Sequence, residues 1–232
     1  MENYLTVKFN IAVVGLYHLG CVYAAAFANA GFKVLGVDED KKIIKNLNKG
    51  IPPIYEPGLT ETIRKHINKK LFFSSDKKAV KNSDYIFVAY DLLVDNNDLI
   101  KTEIIHKTFN LISNLASEKT TIVISSVVPI GTSRILVNLL KKSGIKKPKV
   151  IYFPENLRLG QAFTSFLTPD RIILGSDNDK ALNQFKEDFS FFKCPVISMS
   201  LESTHSSSKH LLIEIETNLM CCKYVPKEIV SS

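Results

Sequence analysis

The chain has 232 residues, 45% of them hydrophobic and 23% charged, which excludes a disordered segment, a collagen-like repeat and a small disulfide scaffold. Its 30 Lys and Arg against 23 Asp and Glu give a net charge of +7. The basic residues come as scattered pairs such as Lys41-Lys42, Lys77-Lys78 and Lys146-Lys147, without interleaved aromatics, so the surplus reads as solvated surface with weak steering of anions, and no nucleic-acid partner is expected.

No run of about 18 apolar residues is present, and the start MENYLTVKFN lacks the apolar core of a secretory signal, so no membrane partner is expected. Cys21, Cys194, Cys221 and Cys222 form no CxxC pair and no metal spacing; reduced thiols, no metal and a cytoplasmic location follow as expectations. The length suits one domain plus a large appendage.

Residues 9–14 (FNIAVV) are a continuous apolar run ending at Gly15, as in a buried parallel strand. A helix is predicted from Leu19 to Ala30, stopped by Gly31. A second strand over 33–37 ends at Asp38, and a Lys-rich helix runs on to Gly50. Pro52, Pro53, Pro57 and Gly58 mark a loop before a helical stretch at 59–69. Further strands are predicted at 71–73, 85–90, 121–128, 149–153 and 171–175, with helices near 100–115, 132–143 and 179–192. Strands alternating with helices at this spacing predict an α/β fold with a doubly wound, Rossmann-like, mostly parallel sheet. From Ser200 the texture changes, and the start of a long connecting helix is expected.

The first strand, turn and helix carry the sharpest local signal. In GLYHLG (Gly15, Leu16, Tyr17, His18, Leu19, Gly20), the outer glycines fit a phosphate-binding GxGxxG turn, while Tyr17 takes the middle position. Such a turn aims the N–H groups of the next helix at a pyrophosphate. Asp38 stands where an acid would bind a ribose diol, and its charge would repel a 2′-phosphate, so NAD is favoured over NADP. The alternative is a tight strand–helix turn with no ligand.

Further segments, in order, resemble the nucleotide-sugar 6-dehydrogenases, the UDP-glucose and GDP-mannose dehydrogenase family. They are NKGIPPIYEPGL (48–59), DYIFVAYDLLVDNND (84–98), TIVISSVVPIGTSR (121–134), YFPENLRLGQAF (152–163), PDRIILG (169–175) and MSLESTHSSSKH (199–210). The resemblance spans about residues 8–212 and suggests a divergent branch. It implies oxidation of a sugar C6 alcohol to a carboxylate with two NAD, through a cysteine thiohemiacetal and thioester. It also implies a nucleotide-sugar partner, most simply a UDP-sugar, a homodimer where the long helix is complete, and a role in polysaccharide biosynthesis.

The resemblance assigns Glu155 and Lys209 as catalytic residues. It gives Gly15 to Gly20, Asp38, Leu92 and Val127 to the cofactor, and Glu155, Asn156, Leu157, Arg158 and Lys209 to the substrate. It divides the chain into an NAD-binding domain over 1–199 and the start of a connecting helix over 200–232, with the family's C-terminal UDP-binding domain absent. Departures are equally clear. Leu92-Leu93 replace the family's Thr-Pro, Val127 replaces a threonine, Leu159 replaces an acid and Ile213 replaces an asparagine. Cys221 and Cys222 match no nucleophile segment.

Structural alternatives stand beside these roles. Glu155 can start a turn, Lys209 can face solvent, and His18 reads as a packing or capping histidine. Asp91 and Asp95 to Asp98 read as a solvated acidic loop. Arg158 either pairs with a neighbouring acid or meets the sugar diphosphate. Two functions therefore compete: an NAD-dependent nucleotide-sugar dehydrogenase, and an inactive remnant that at most binds NAD.

Overall fold

The computed structural model describes residues 9–92, 102–154 and 157–205. The strands are β1 (Phe9–Val14), β2 (Val34–Val37), β3 (Leu71–Ser74), β4 (Ser83–Val88), β5 (Thr121–Ile124), β6 (Lys149–Tyr152), β7 (Ile172–Gly175) and β8 (Val196–Met199). The helices are α1 (Leu19–Asn29), α2 (Lys41–Leu47), α3 (Leu59–His66), α4 (Glu103–Leu115), α5 (Thr132–Lys142), α6 (Ala162–Leu167) and α7 (Asp179–Asp188), with a 3₁₀ helix at Lys77–Asn82. The eight strands form one sheet in the order β3-β2-β1-β4-β5-β6-β7-β8. All neighbours are parallel except β6 and β7, which meet antiparallel at Tyr152 and Gly175. This is a doubly wound, mostly parallel α/β sheet of the Rossmann type, with its order reversing between β1 and β4.

Alternation along β1 shows how both faces are covered. Ile11 and Val13 pack with α1, α3, α6 and α7, whereas Ala12 and Val14 pack with α4, α5 and the 3₁₀ helix. The first face is aromatic: Tyr23 of α1 stacks on Phe166 at 4.4 Å between centroids, and Phe185 stacks on Phe189 at 4.2 Å. Every residue of α1 from Leu19 to Ala28 is buried, so this helix is apolar all round because it lies beneath α3 and α6.

Two of the remaining helices, α2 and α7, are capped by side chains of their own N-terminal residues. Asp40 accepts from Lys42 and Ile43 N–H at the start of α2, and Asn178 accepts from Ala181 N–H at the start of α7.

Three elements lie outside the sequence reading: the 3₁₀ helix, α6 and β8. The strand predicted over 121–128 ends at Ile124, because the chain turns through Ser125 to Gly131 into α5. Residues 201–205 are helical, and the rest of the expected connecting helix lies outside the described residues. Among the described residues no helix is long and apolar enough to cross a membrane, and no group of three His, Cys, Asp or Glu could hold a metal.

Candidate functional site

The site lies at the carboxyl ends of β1 and β4, where the strand order reverses, the position at which open α/β sheets form their ligand crevice. Gly15 follows β1 with φ +93, a region that side chains rarely adopt, and a Cβ there would lie 2.8 Å from the Tyr90 ring. Gly20 is fixed by contact instead: a Cβ on it would run into the carbonyl oxygen of Gly15. The two glycines therefore let the end of the strand and the start of α1 touch. Leu16 is buried against β2, and Tyr17 is 50% exposed, so its side chain turns away from the sheet.

Three turn amides point at carboxylates. Leu16 N–H donates to Asp38 Oδ2 at 2.7 Å, while Asp38 Oδ1 accepts from Asp40 N–H at 2.9 Å. Asp38 thus stands at the end of β2 beside the turn, as the sequence predicts, and its carboxylate also shapes that turn. His18 N–H and Leu19 N–H both donate to Asp91, from the end of β4. Asp91 is exposed, as the solvated-loop reading has it, but its carboxylate also caps the first amides of α1. Burial raises its carboxyl above the usual aspartate value, against the opposing effect of the two amides. Asp95 to Asp98 lie outside the described residues.

His18 is buried, and its Nε2 lies 2.8 Å from Glu56 Oε1. A carboxylate only accepts, so that ring nitrogen carries the proton. The remaining capacity of Glu56 is spent on another part of the chain. Gly160 N–H donates to Oε1 at 2.7 Å, and Ala162 N–H donates to Oε2 at 3.1 Å. One buried glutamate from the EPGL loop therefore joins the glycine turn to the loop that leads into α6. The packing role read for His18 holds, with a specific partner.

The far wall comes from β4 and β5. Ser126 Oγ accepts from Tyr90 N–H at 2.8 Å and donates to Val88 O at 3.4 Å, tying the two strand ends. Val127 beside it and Leu92 after β4 are both half-buried and apolar. In the 157–162 loop, Leu157 packs on the core while Arg158 is exposed, with no ion pair among the described residues. Glu155, Asn156, Lys209, Ile213, Cys221 and Cys222 lie outside the described residues.

Of the described thiols, Cys21 is fully buried in α1 and burial pushes its pKa up, and Cys194 packs partly buried against the core. A hollow of about 500 Å³ between α5 and the start of α7 is lined by Arg134, Lys141, Lys146, Lys147 and Lys180 and shares no residue with the turn.

A tight glycine turn, an acid at the end of the second strand and helix amides already holding an anionic group fit a dinucleotide. The family model described as the UDP-glucose/GDP-mannose dehydrogenase family, NAD binding domain, matches residues 9–193. The chain belongs to this family. Its cofactor class is NAD.

Among curated members, an uncharacterised protein of Methanocaldococcus jannaschii is 35% identical over 79% of this chain and 21% of its own length. The UDP-glucose 6-dehydrogenase TuaD of Bacillus subtilis is 32% identical over 83% of this chain and 43% of its own. This chain thus spans less than half the length of these curated relatives. In fold, it matches a GDP-mannose dehydrogenase of Pseudomonas aeruginosa at TM-score 0.83 and 24% identity, over 90% of this chain and 50% of that one. A UDP-glucose dehydrogenase of Pyrobaculum islandicum matches at TM-score 0.78 and 24% identity, over 91% and 50%.

The phosphate-turn pattern singled out Gly15, Gly20 and Asp38, and the fold brings them together at the ends of β1 and β2. Sequence reasoning passed over Glu56 and gave Ser126 no role, although both stand inside segments quoted for the resemblance.

Proposed function

We propose that this chain is the NAD-binding part of a nucleotide-sugar 6-dehydrogenase that oxidises a sugar C6 alcohol to a carboxylate, with a UDP-sugar as the favoured substrate. In this reading residues 1–199 are the cofactor domain and 200–232 begin a connecting region. The amides of the Gly15–Gly20 turn hold the cofactor diphosphate, Asp38 takes the ribose diol, and Leu92 and Val127 line the nicotinamide side. Bound NAD supplies the hydride acceptor. Asn156, Leu157 and Arg158 contact the sugar nucleotide, while Glu155 and Lys209 manage protons and the developing oxyanion. A cytoplasmic location and a homodimer belong to the same reading.

The observation that best supports it is Glu56, which bonds both His18 of the cofactor turn and the backbone of the 160–162 loop. A cofactor and a substrate would then meet across one braced crevice. Calorimetric titration tests the cofactor half: NAD should bind more tightly than NADP. Equal affinities, or no binding at millimolar cofactor, would sink the role of Asp38.

A second reading has its own support: this chain by itself binds NAD without turning substrate over. Neither described thiol is a ready nucleophile, since Cys21 is buried with its pKa raised and Cys194 packs on the core. Val127 and Leu92 present carbon where the resemblance expects a threonine hydroxyl. Loss of one oxyanion donor alone typically costs about 10²–10³ in rate. No NADH absorbance is expected from the purified chain with a panel of UDP- and GDP-sugars. Steady turnover that disappears in Lys209→Ala would overturn this second reading.

A further inference from the structure

The first N–H groups of a helix have no partner within it, and at this fold's switch point they are the natural seat of a cofactor diphosphate. In this chain they are already engaged. His18 N–H donates to Asp91 Oδ2 at 3.0 Å, Leu19 N–H donates to the same oxygen at 3.1 Å, and Leu19 N also lies 3.4 Å from Oδ1. On the other arm of the turn, Leu16 N–H is bound to Asp38. Helix α1 supplies no cap of its own, since the His18 side chain makes no cap bond and the first turn holds no acid. The group that caps it arrives from 72 and 73 residues further along the chain, off the end of the strand that forms the opposite lip of the crevice.

Two anions cannot share these donors. A carboxylate and a diphosphate within about 4 Å of each other repel, most strongly where water is scarce. Asp91 is exposed as a residue, so water reaches it; the buried side of its surroundings still raises its carboxyl above the usual aspartate value.

We propose that Asp91 is an internal occupant of the cofactor's diphosphate site. Its carboxylate must leave the His18 and Leu19 amides before a dinucleotide can take them, so Asp91 sets how tightly NAD binds. The proposal rests on the NAD reading, and it makes a selective claim: the penalty falls on the phosphates and spares the nucleoside.

The test is calorimetric titration of the wild-type chain, Asp91→Asn and Asp91→Ala with NAD, ADP-ribose and adenosine. The near-isosteric Asn variant retains a neutral acceptor for the helix amides, and cooperative thermal unfolding verifies that each variant is folded. NAD and ADP-ribose should bind about tenfold more tightly to Asp91→Ala than to wild type. Asp91→Asn should fall between, and adenosine should be unchanged. Binding that becomes measurable only in the variants is the same result. Unchanged or weakened NAD binding in folded variants overturns the proposal and leaves the NAD reading standing on the wild-type titration. A gain shared equally by adenosine also overturns it, because the aspartate would then act through shape and not charge. Absence of binding by all three proteins overturns both readings together.

Discussion

Replacing Glu56 by alanine removes one side chain and strands three donors. Glu56 is 1% exposed, and its partners are the His18 ring, Gly160 N–H and Ala162 N–H. Gly160 is exposed, so its amide can turn to water. His18 and Ala162 are 7% and 0% exposed and have no such recourse. A buried donor left unpaired costs about 1–3 kcal/mol, so two cost about 2–6 kcal/mol. Removing a buried carboxylate returns part of its own desolvation cost, which favours the lower half of that range. For a chain of this size each kcal/mol moves Tm by about 2–4 °C, giving an expected fall of roughly 5–15 °C. Glu56→Gln should fall less, since its carbonyl still accepts while its NH₂ confronts the loop amides. Thermal unfolding followed by circular dichroism reads this directly. A shift below about 2 °C for Glu56→Ala would refute the claim that this residue braces turn and loop together.

Two further outcomes are expected. Asp38→Asn should weaken NAD roughly tenfold and NADP by less, because a charged acceptor for the ribose diol becomes neutral; equal losses in paired titrations would remove the ribose role. His205 is buried, stacks on Tyr152 at 3.8 Å between centroids, bonds Ser133 Oγ at 2.8 Å, and has its pKa lowered by burial. The unfolded chain therefore takes up this proton first: stability is complete above about pH 6.5 and falls as the pH drops through that value toward the folded pKa. Urea unfolding from pH 8 to 5 should lose part of this slope in His205→Gln, and an identical slope would exclude His205 as its source.

Much of the architecture was legible because parallel strands buried on both faces are written as unbroken apolar runs, as in FNIAVV. The elements passed over lack that mark. In β8, the four residues Val196–Met199 are half-exposed or exposed, so an edge strand there has no apolar run to reveal it. The six residues of α6 bury only Ala162, Phe163 and Phe166, too short a stripe to show a helical period.

At the site, the turn built by Gly15, Gly20 and Asp38 was legible because its residue types recur at a fixed local spacing. Glu56 and Asp91 were not, since their partners lie 38, 104 and 106 residues away in one case and 72 and 73 in the other. The bonds of Asp91, and two of the three made by Glu56, go to backbone amides, which leave no complementary residue type in the sequence to betray them.

The pairing of β1 with β4 has a thermodynamic consequence. β1 belongs to the first strand-helix half of the sheet and β4 to the second, and they join in register from Ile11 with Tyr85 to Val14 with Val88. The crevice sits on that seam, so neither half alone contains it. A ligand bound there stabilises the closed molecule by RT ln(1 + [L]/Kd) against separation of the halves, while fraying at β3 or β8, on the outer edges, is left as it was. Hydrogen exchange would register this as slowing concentrated in the central strands, several of whose amides never touch the ligand.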